Sequence, residues 1–499
     1  MSEHKNSLGR RGFLRGAAVL APLAGSLEAL QAAQRPGARP NNIIFMVADG
    51  MSVGVLSLAE HFSQLVRGKG LLWRALMDRP EAARALMDMA SLNSVTTDSA
   101  AASSSWGSGA RVFNGWLNML PDKTKLTPVA QVARDRKKRV GLVTTTTITH
   151  ATPAGFAAVQ DSRDREDEIA AQYLDAVDVL MGGGIEYFDG SLRKDKRDLA
   201  GDFRSKGYSV VLERKQLLAL RNQSKILGLF SKGMIPYTID RNNSADLKEK
   251  VPTLAEMTAA ALETLQNSPN GFLLQVEGGR VDHAAHNNDA AAMLWEQIAF
   301  DEAIEVVLRF AERRPETLIV ITSDHGNSNP GTGGRSAEFG ASPNTFALLA
   351  KAKCSYSVIT PKLGGKNKPS VSEVRELIKD AFSIELTADE AEAVRASGAG
   401  TKKICLNTRL DKLNGILGQA LGNYTGVTWC STDHTSDYVV LTALGPGSER
   451  FSGHLRNTRC FENIVDLMGS NFRNPSMDVS KALQYRKAAA IAAPRPHWV

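Results

Sequence analysis

The chain has 499 residues, 43% hydrophobic and 23% charged, with a formal net charge of +7. This composition excludes a chain that is disordered, collagen-like or a disulfide scaffold throughout, and no apolar run reaches the roughly 18 residues of a membrane-spanning helix. Part of the charge sits in residues 1–32, and the rest is too thinly spread for a nucleic-acid-binding face.

The N-terminus reads as an address. Gly9-Arg10-Arg11-Gly12-Phe13-Leu14-Arg15 precedes a weakly apolar stretch from Gly16 to Leu30. A basic segment before a short apolar one is the pattern of an export signal, and paired arginines followed by Phe-Leu resemble the twin-arginine class. Residues 1–32 are therefore expected to be a signal peptide and the mature protein periplasmic or secreted. Residues 33–41, with two prolines and a glycine, read as a linker.

Ile43 to Val47 has the pattern of a buried strand and ends in Ala48-Asp49-Gly50. Similar runs follow at Val140 to Val143, Val177 to Met181, Phe272 to Val276, Leu318 to Ile321, Phe346 to Leu349 and Tyr438 to Leu441. Helical patterns fall between several of them. Leu254 to Leu265 is opened by Thr253 with Glu256 three residues on, a capping box, and Met293 to Phe310 repeats apolar residues on one face. This alternation predicts an α/β fold, a single large domain over 42–475 with a mostly parallel central sheet flanked by helices. Residues 191–250 read as a surface excursion, and 352–430 as an inserted cap- or crown-like region. Residues 476–499 read as a loosely attached tail. Cys354, Cys405, Cys430 and Cys460 allow three full pairings, and their spacing does not decide between these and free thiols.

In open α/β sheets ligands gather at the carboxyl ends of the strands. Four predicted strands deliver polar residues there: Asp49; Thr144 to Thr149 with His150 and Thr152; Glu277 with Asp282, His283 and His286; and Asp324-His325. Asp433-His434-Thr435 precedes the last strand. Five of the nine histidines fall in these stretches, a concentration that scattered surface histidines would not give. Singly each signal is weak: Asp49-Gly50 is commonly a turn, Asp324 a helix cap, and Asp282 with His286 an exposed pair on one helical face. Together they make a pool of imidazole and carboxylate suited to Zn²⁺, and of carboxylate and hydroxyl suited to Mg²⁺. Ser99, in Thr97-Asp98-Ser99-Ala100-Ala101, is the candidate nucleophile. Small residues after it suit a helix whose N-terminus faces an anion. The absence of a G-x-S-x-G elbow argues against a serine–histidine–aspartate hydrolase.

Asp49-Gly50-Met51, Asp98-Ser99-Ala100-Ala101, His150-Ala151-Thr152-Pro153-Ala154, Glu277 through His286, Asp324-His325 and Asp433-His434-Thr435 closely resemble, in order, the motifs of the alkaline phosphatase family. The resemblance implies an exported phosphomonoesterase acting through a phosphoserine on Ser99. It implies Asp282, His286 and His434 as ligands of a first zinc, and Asp49, Asp324 and His325 as ligands of a second. Asp49, Thr152 and Glu277 are implied for a third site, usually Mg²⁺, and Arg163 as the phosphate clamp. His150 and His283 stand where many bacterial relatives have Asp and Lys, which leaves zinc as an alternative third ion. Asp98 joins them as a substrate-contacting or supporting residue. Small phosphate monoesters are the implied partners, and a homodimer the candidate assembly. The rival readings are a phosphodiesterase of the same superfamily and a non-catalytic metal- or phosphate-binding relative.

Overall fold

The structure is a computed structural model that describes residues 38–333, 342–364, 367, 369–401 and 406–485. The expected export signal, residues 33–37 of the linker, Cys405 and residues 486–499 of the tail lie outside the described residues.

Fourteen strands are described: β1 (Asn42–Ala48), β2 (Ala83–Asp88), β3 (Arg139–Thr147), β4 (Val179–Gly183), β5 (Ser209–Val211), β6 (Ile226–Leu229), β7 (Phe272–Gly278), β8 (Thr317–Thr322), β9 (Gly326–Asn327), β10 (Gly331–Thr332), β11 (Val427–Thr428), β12 (His434–Thr435), β13 (Val439–Leu444) and β14 (Gly453–Arg456). Ten of them form one sheet in the order β14-β2-β13-β8-β1-β7-β3-β4-β6-β5. Within this sheet only β13 runs against its neighbours β8 and β2, and the other pairings are parallel; β10 with β11, and β12 with β9, form two short antiparallel pairs. The expected α/β architecture with a mostly parallel sheet is present.

The central strand shows why it reads as an unbroken apolar run. Ile44, Met46 and Ala48 belong to one core, and Ile43, Phe45 and Val47 to the other, on opposite faces of the sheet. A parallel strand covered by helices on both sides has no solvated face to mark with polar residues. The helix Leu254–Leu265 begins with the expected capping box between Thr253 and Glu256, and Ala290–Arg313 contains the expected Met293 to Phe310.

Two expectations are corrected. Phe346 to Leu349 is not a strand but the end of helix Ser342–Leu349; a four-residue apolar run has no periodicity of its own to separate the two. Residues 191–250 are more than an excursion, because they supply β5 and β6 to the sheet edge. The region 352–430 contains the helices Tyr356–Leu363, Val371–Phe382, Ala388–Gly398 and Leu413–Thr425. Its Ile359, Ile378, Val394 and Leu417 extend one of the two cores. At the C-terminal end, Met477 and Ala482 are buried in a small cluster with Leu92 and Phe113. Cys354, Cys430 and Cys460 are free thiols.

Candidate functional site

The sheet brings the predicted ligand positions to one edge. Val47 of β1 pairs with Glu277 of β7 and with Thr322 of β8, and Thr144 of β3 pairs with Glu277. Asp49 and Asp324, each two residues beyond the Val47–Thr322 pair, therefore leave the sheet at one level. Because β13 is antiparallel, the chain enters it at the carboxyl edge of its neighbours. That places β12, with His434, against β9 just after Asp324-His325, and His434 pairs with Asn327.

Gly50 lets β1 end there. It has φ 68°, and a Cβ would overlap Asp282. Its amide donates to Asp324 Oδ1 at 2.9 Å. Asp282 and His286 lie on the helix Arg280–His286, as their four-residue spacing predicted. Asn327 Nδ2 donates to Asp282 Oδ1 at 2.6 Å.

Three groups of ligand atoms result: Asp282, His286 and His434; Asp49, Asp324 and His325; and Asp49, His150 and Glu277. All of these side chains are buried except His434, which is slightly open. Hydrogen bonding shows what the first group needs. His286 Nδ1 lies 2.6 Å from the carbonyl of Thr432, and His434 Nδ1 lies 2.9 Å from that of Thr97. A carbonyl only accepts, so both Nδ1 atoms carry the proton and, in the neutral rings, both Nε2 atoms carry lone pairs. Those Nε2 atoms face each other at 3.0 Å, with His286 Nε2 3.3 Å from Asp282 Oδ2. Burial pushes the His434 pKa down to about 3, so the ring is neutral. Lone pairs and a carboxylate converging in this way match the donor set of a zinc ion.

In the second group His325 offsets the charge of Asp324, whereas Asp49, shared with the third group, and Glu277 are not offset in this way. Burial raises the Asp49 pKa well above the usual carboxylate range, and Asp324, Asp282 and Glu277 add to the effect. Burial pushes Glu277 up to about 7. Asp49 Oδ1 and Glu277 Oε1 are buried without a hydrogen-bond donor. Buried carboxylates without donors are costly unless a cation joins them. Thr152 Oγ1 lies 3.3 Å from Asp49 Oδ2, which brings the expected third-site hydroxyl to the same carboxylate.

Ser99 is the first residue of helix Ser99–Ser108 and is buried. Its Oγ lies 3.4 Å from His325 Nε2, which is 3.0 Å from Asp324 Oδ2 and 3.6 Å from Asp49 Oδ1. Asp98 caps the helix: its Oδ1 accepts from the Ala101 amide at 2.9 Å. Its Oδ2 accepts from the Gly115 amide at 2.8 Å and from Arg163 Nη1 at 3.2 Å. Arg163 is buried, and its Nη2 lies 2.9 Å from His150 Nε2. The His150 and His283 rings stand edge to face, with centroids 5.6 Å apart.

The helix carrying Ser99 touches the helix Ala151–Ala157, which carries Thr152, backbone to backbone. A Cβ on Gly107 would overlap the Gly155 carbonyl, and one on Gly155 would overlap Ser103. Ser103 Oγ donates to the Ala151 carbonyl at 2.9 Å.

The structure thus brings together every site residue expected from the sequence. The sequence reading passed over Asn327, which holds Asp282, and Arg280, which lies against His283. Asn327 stands three residues after Asp324, so its place beside a ligand motif was the available signal.

The family model described as alkaline phosphatase matches residues 40–469. Alkaline phosphatase 4 of Bacillus subtilis is 32% identical over 371 residues, covering 72% of this chain and 74% of that protein. Alkaline phosphatase 3 of the same organism is 30% identical over 442 residues, covering 87% and 90%. The crystal structure of Thermus thermophilus alkaline phosphatase superposes with a TM-score of 0.85 at 34% identity, covering 97% of this chain and all of that one.

Proposed function

The chain belongs to the alkaline phosphatase family of phosphoric monoester hydrolases, and from that premise we propose that it hydrolyses small phosphate monoesters through a phosphoserine on Ser99. The observation that carries the reading is the Ser99 hydroxyl at a helix start, 3.4 Å from His325 within a ring of carboxylates and imidazoles. Asp282, His286 and His434 would hold one zinc, and Asp49, Asp324 and His325 a second. Asp49, Thr152 and Glu277 would hold a third ion, Mg²⁺ or zinc, with His150 beside it. Bound cations at these positions supply charge neutralisation and make hydroxyl groups easier to deprotonate.

The protein's own groups do the rest. Ser99 Oγ attacks phosphorus, the ester P–O bond breaks, and the alcohol leaves with a proton. Water then attacks the phosphoserine, releasing phosphate and restoring the hydroxyl. With Nη1 held by Asp98 and Nη2 beside His150, Arg163 keeps one further N–H on each terminal nitrogen to offer the phosphoryl oxygens that stay in place, a fork suited to a terminal phosphate. Asp98 holds that fork through Nη1 and caps the helix whose N-terminus would face the developing charge. The second ester group of a diester would compete with this clamp, so Arg163 favours monoesters.

Residues 42–475 form the proposed catalytic domain, with 352–430 as its insertion. The arginine pair at 10–11 supports export to the periplasm or medium, and no helix among the described residues is long and apolar enough to cross a membrane. A homodimer is the proposed assembly.

The test is turnover of p-nitrophenyl phosphate against its diester and sulfate analogues, with and without a chelator. The monoester is expected to be preferred, and Ser99→Ala to remove nearly all turnover. An unchanged rate in Ser99→Ala would overturn the phosphoserine route, and preference for the diester would favour the phosphodiesterase reading. Metal bound without turnover would favour a non-catalytic relative.

A further inference from the structure

Arg280 is not accounted for by metal binding or by the phosphate clamp. It opens the helix Arg280–His286, and its backbone amide donates to Thr145 Oγ1 at 3.2 Å. Its guanidinium carbon lies 3.7 Å from the centroid of the Tyr237 ring, a cation–π contact. Tyr237 is 2% exposed. Its hydroxyl accepts from Asn287 Nδ2 at 3.3 Å, and Asn287 Oδ1 accepts from Asn414 Nδ2 at 2.6 Å on the inserted helix Leu413–Thr425. The guanidinium is thus fixed by an aromatic face that is itself tied to the insertion.

Held there, Arg280 Nη1 lies 2.9 Å from His283 Nδ1. A guanidinium has only donors, so Nδ1 must be the accepting nitrogen. In a neutral imidazole the proton then resides on Nε2, on the other side of the ring. That ring stands against His150, which is 2.9 Å from the clamp residue Arg163.

We propose that Arg280, clamped on Tyr237, is a positioning residue that fixes His283 in its Nε2–H tautomer, so that His283 donates a hydrogen bond toward the phosphoryl group. This rests on the phosphomonoesterase reading of the site. It gives the histidine a defined role: a directional neutral donor at a position where a lysine would supply a point charge. It also gives the inserted helix a route to phosphate affinity through Asn414, Asn287 and Tyr237.

The tautomer is read directly from ¹⁵N shifts of histidine-labelled, metal-loaded protein, with the His283 signals assigned by their loss in His283→Gln. The parent protein should show Nε2 protonated and Nδ1 not. Arg280→Met, which keeps length but removes the donors, should shift His283 toward a mixture of tautomers. The same change should weaken inhibition by inorganic phosphate and raise KM about five- to tenfold, the worth of one well-placed hydrogen bond, with a smaller change in kcat. Arg280→Lys should recover part of the loss, and Tyr237→Leu should reproduce part of it.

A parent spectrum with Nδ1 protonated overturns the proposal without any variant. So does an Arg280→Met protein in which both the tautomer and phosphate inhibition are unchanged. Parallel loss of phosphate affinity, kcat and melting temperature without a tautomer change would reduce Arg280 to a structural role and likewise overturn it. The spectroscopic result does not depend on turnover, so it separates failure of this proposal from failure of the phosphoserine route, which Ser99→Ala tests.

Discussion

Asp98 and Arg163 form a buried ion pair, Oδ2 to Nη1 at 3.2 Å, and Asp98 also caps the helix that begins with Ser99. One carboxylate therefore fixes both the start of the Ser99 helix and the Arg163 guanidinium. Asp98→Ala is expected to act twice. The loss of the cap should cost about 1 kcal/mol of stability. Releasing Arg163 should raise KM more than it lowers kcat, with kcat/KM falling on the order of 10- to 100-fold. Melting curves and p-nitrophenyl phosphate kinetics check the two effects, and unchanged phosphate affinity would show that Arg163 does not depend on Asp98.

Chelation should destabilise as well as inactivate. Asp49 and Glu277 are buried, and burial with repulsion from neighbouring carboxylates makes both hard to ionise; the histidines beside Asp282 and Asp324 offset the charge only there, so without cations the first two remain costly. Treatment with EDTA is expected to lower the melting temperature by several degrees, and zinc with magnesium to restore both stability and activity. A melting temperature unaffected by EDTA would mean that these carboxylates do not bind the ions that support folding.

Gly50→Ala tests whether the end of β1 tolerates a side chain. The left-handed backbone alone costs about 1–2 kcal/mol in a residue with a Cβ, and the added methyl overlaps Asp282. Lower zinc content, measured by elemental analysis of the purified variant, is expected alongside reduced activity. Full zinc occupancy would show that Asp282 can move without cost.

Asp289 gives a pH dependence away from the candidate ligands. It caps the helix Ala290–Arg313 and accepts from the Tyr356 amide at 2.6 Å, and burial pushes its pKa up to about 7. The unfolded value is near 3.9. The folded state therefore holds the proton more tightly between about pH 4 and about pH 7, and stability from this group falls as pH rises through that window. Asp289→Asn cannot ionise, although it gives up one accepting oxygen. In urea melts the variant should be the less stable protein at about pH 5 and should gain on the parent by a few kcal/mol toward about pH 8. A pH-independent difference would exclude the effect.

Much of this architecture can be read in the sequence, for reasons visible in individual residues. Asp49, Glu277 and Asp324 are legible because each follows an apolar run that is buried on both faces, so a carboxylate at its end stands out. Asp282 and His286 are legible through helical spacing. By contrast, β2 (Ala83–Asp88) alternates in burial but not in polarity, because Leu86 stands at an exposed position beside Arg84. The strands β5 and β6 are short and lie among charged helices, so pairing rather than pattern defines them. Tyr237 and Arg280 meet through a contact between residues more than forty positions apart, and no local pattern carries that information.

The backbone contact between the helices of Ser99 and Thr152 constrains how this enzyme can diversify. With Gly107 and Gly155 in van der Waals register, neither helix can acquire bulk without prying the other away. The packing beneath Ser99 and Thr152 is thereby closed to gradual remodelling. New substrate preferences would have to arise from segments that can vary while the Ser99 hydroxyl stays where it is.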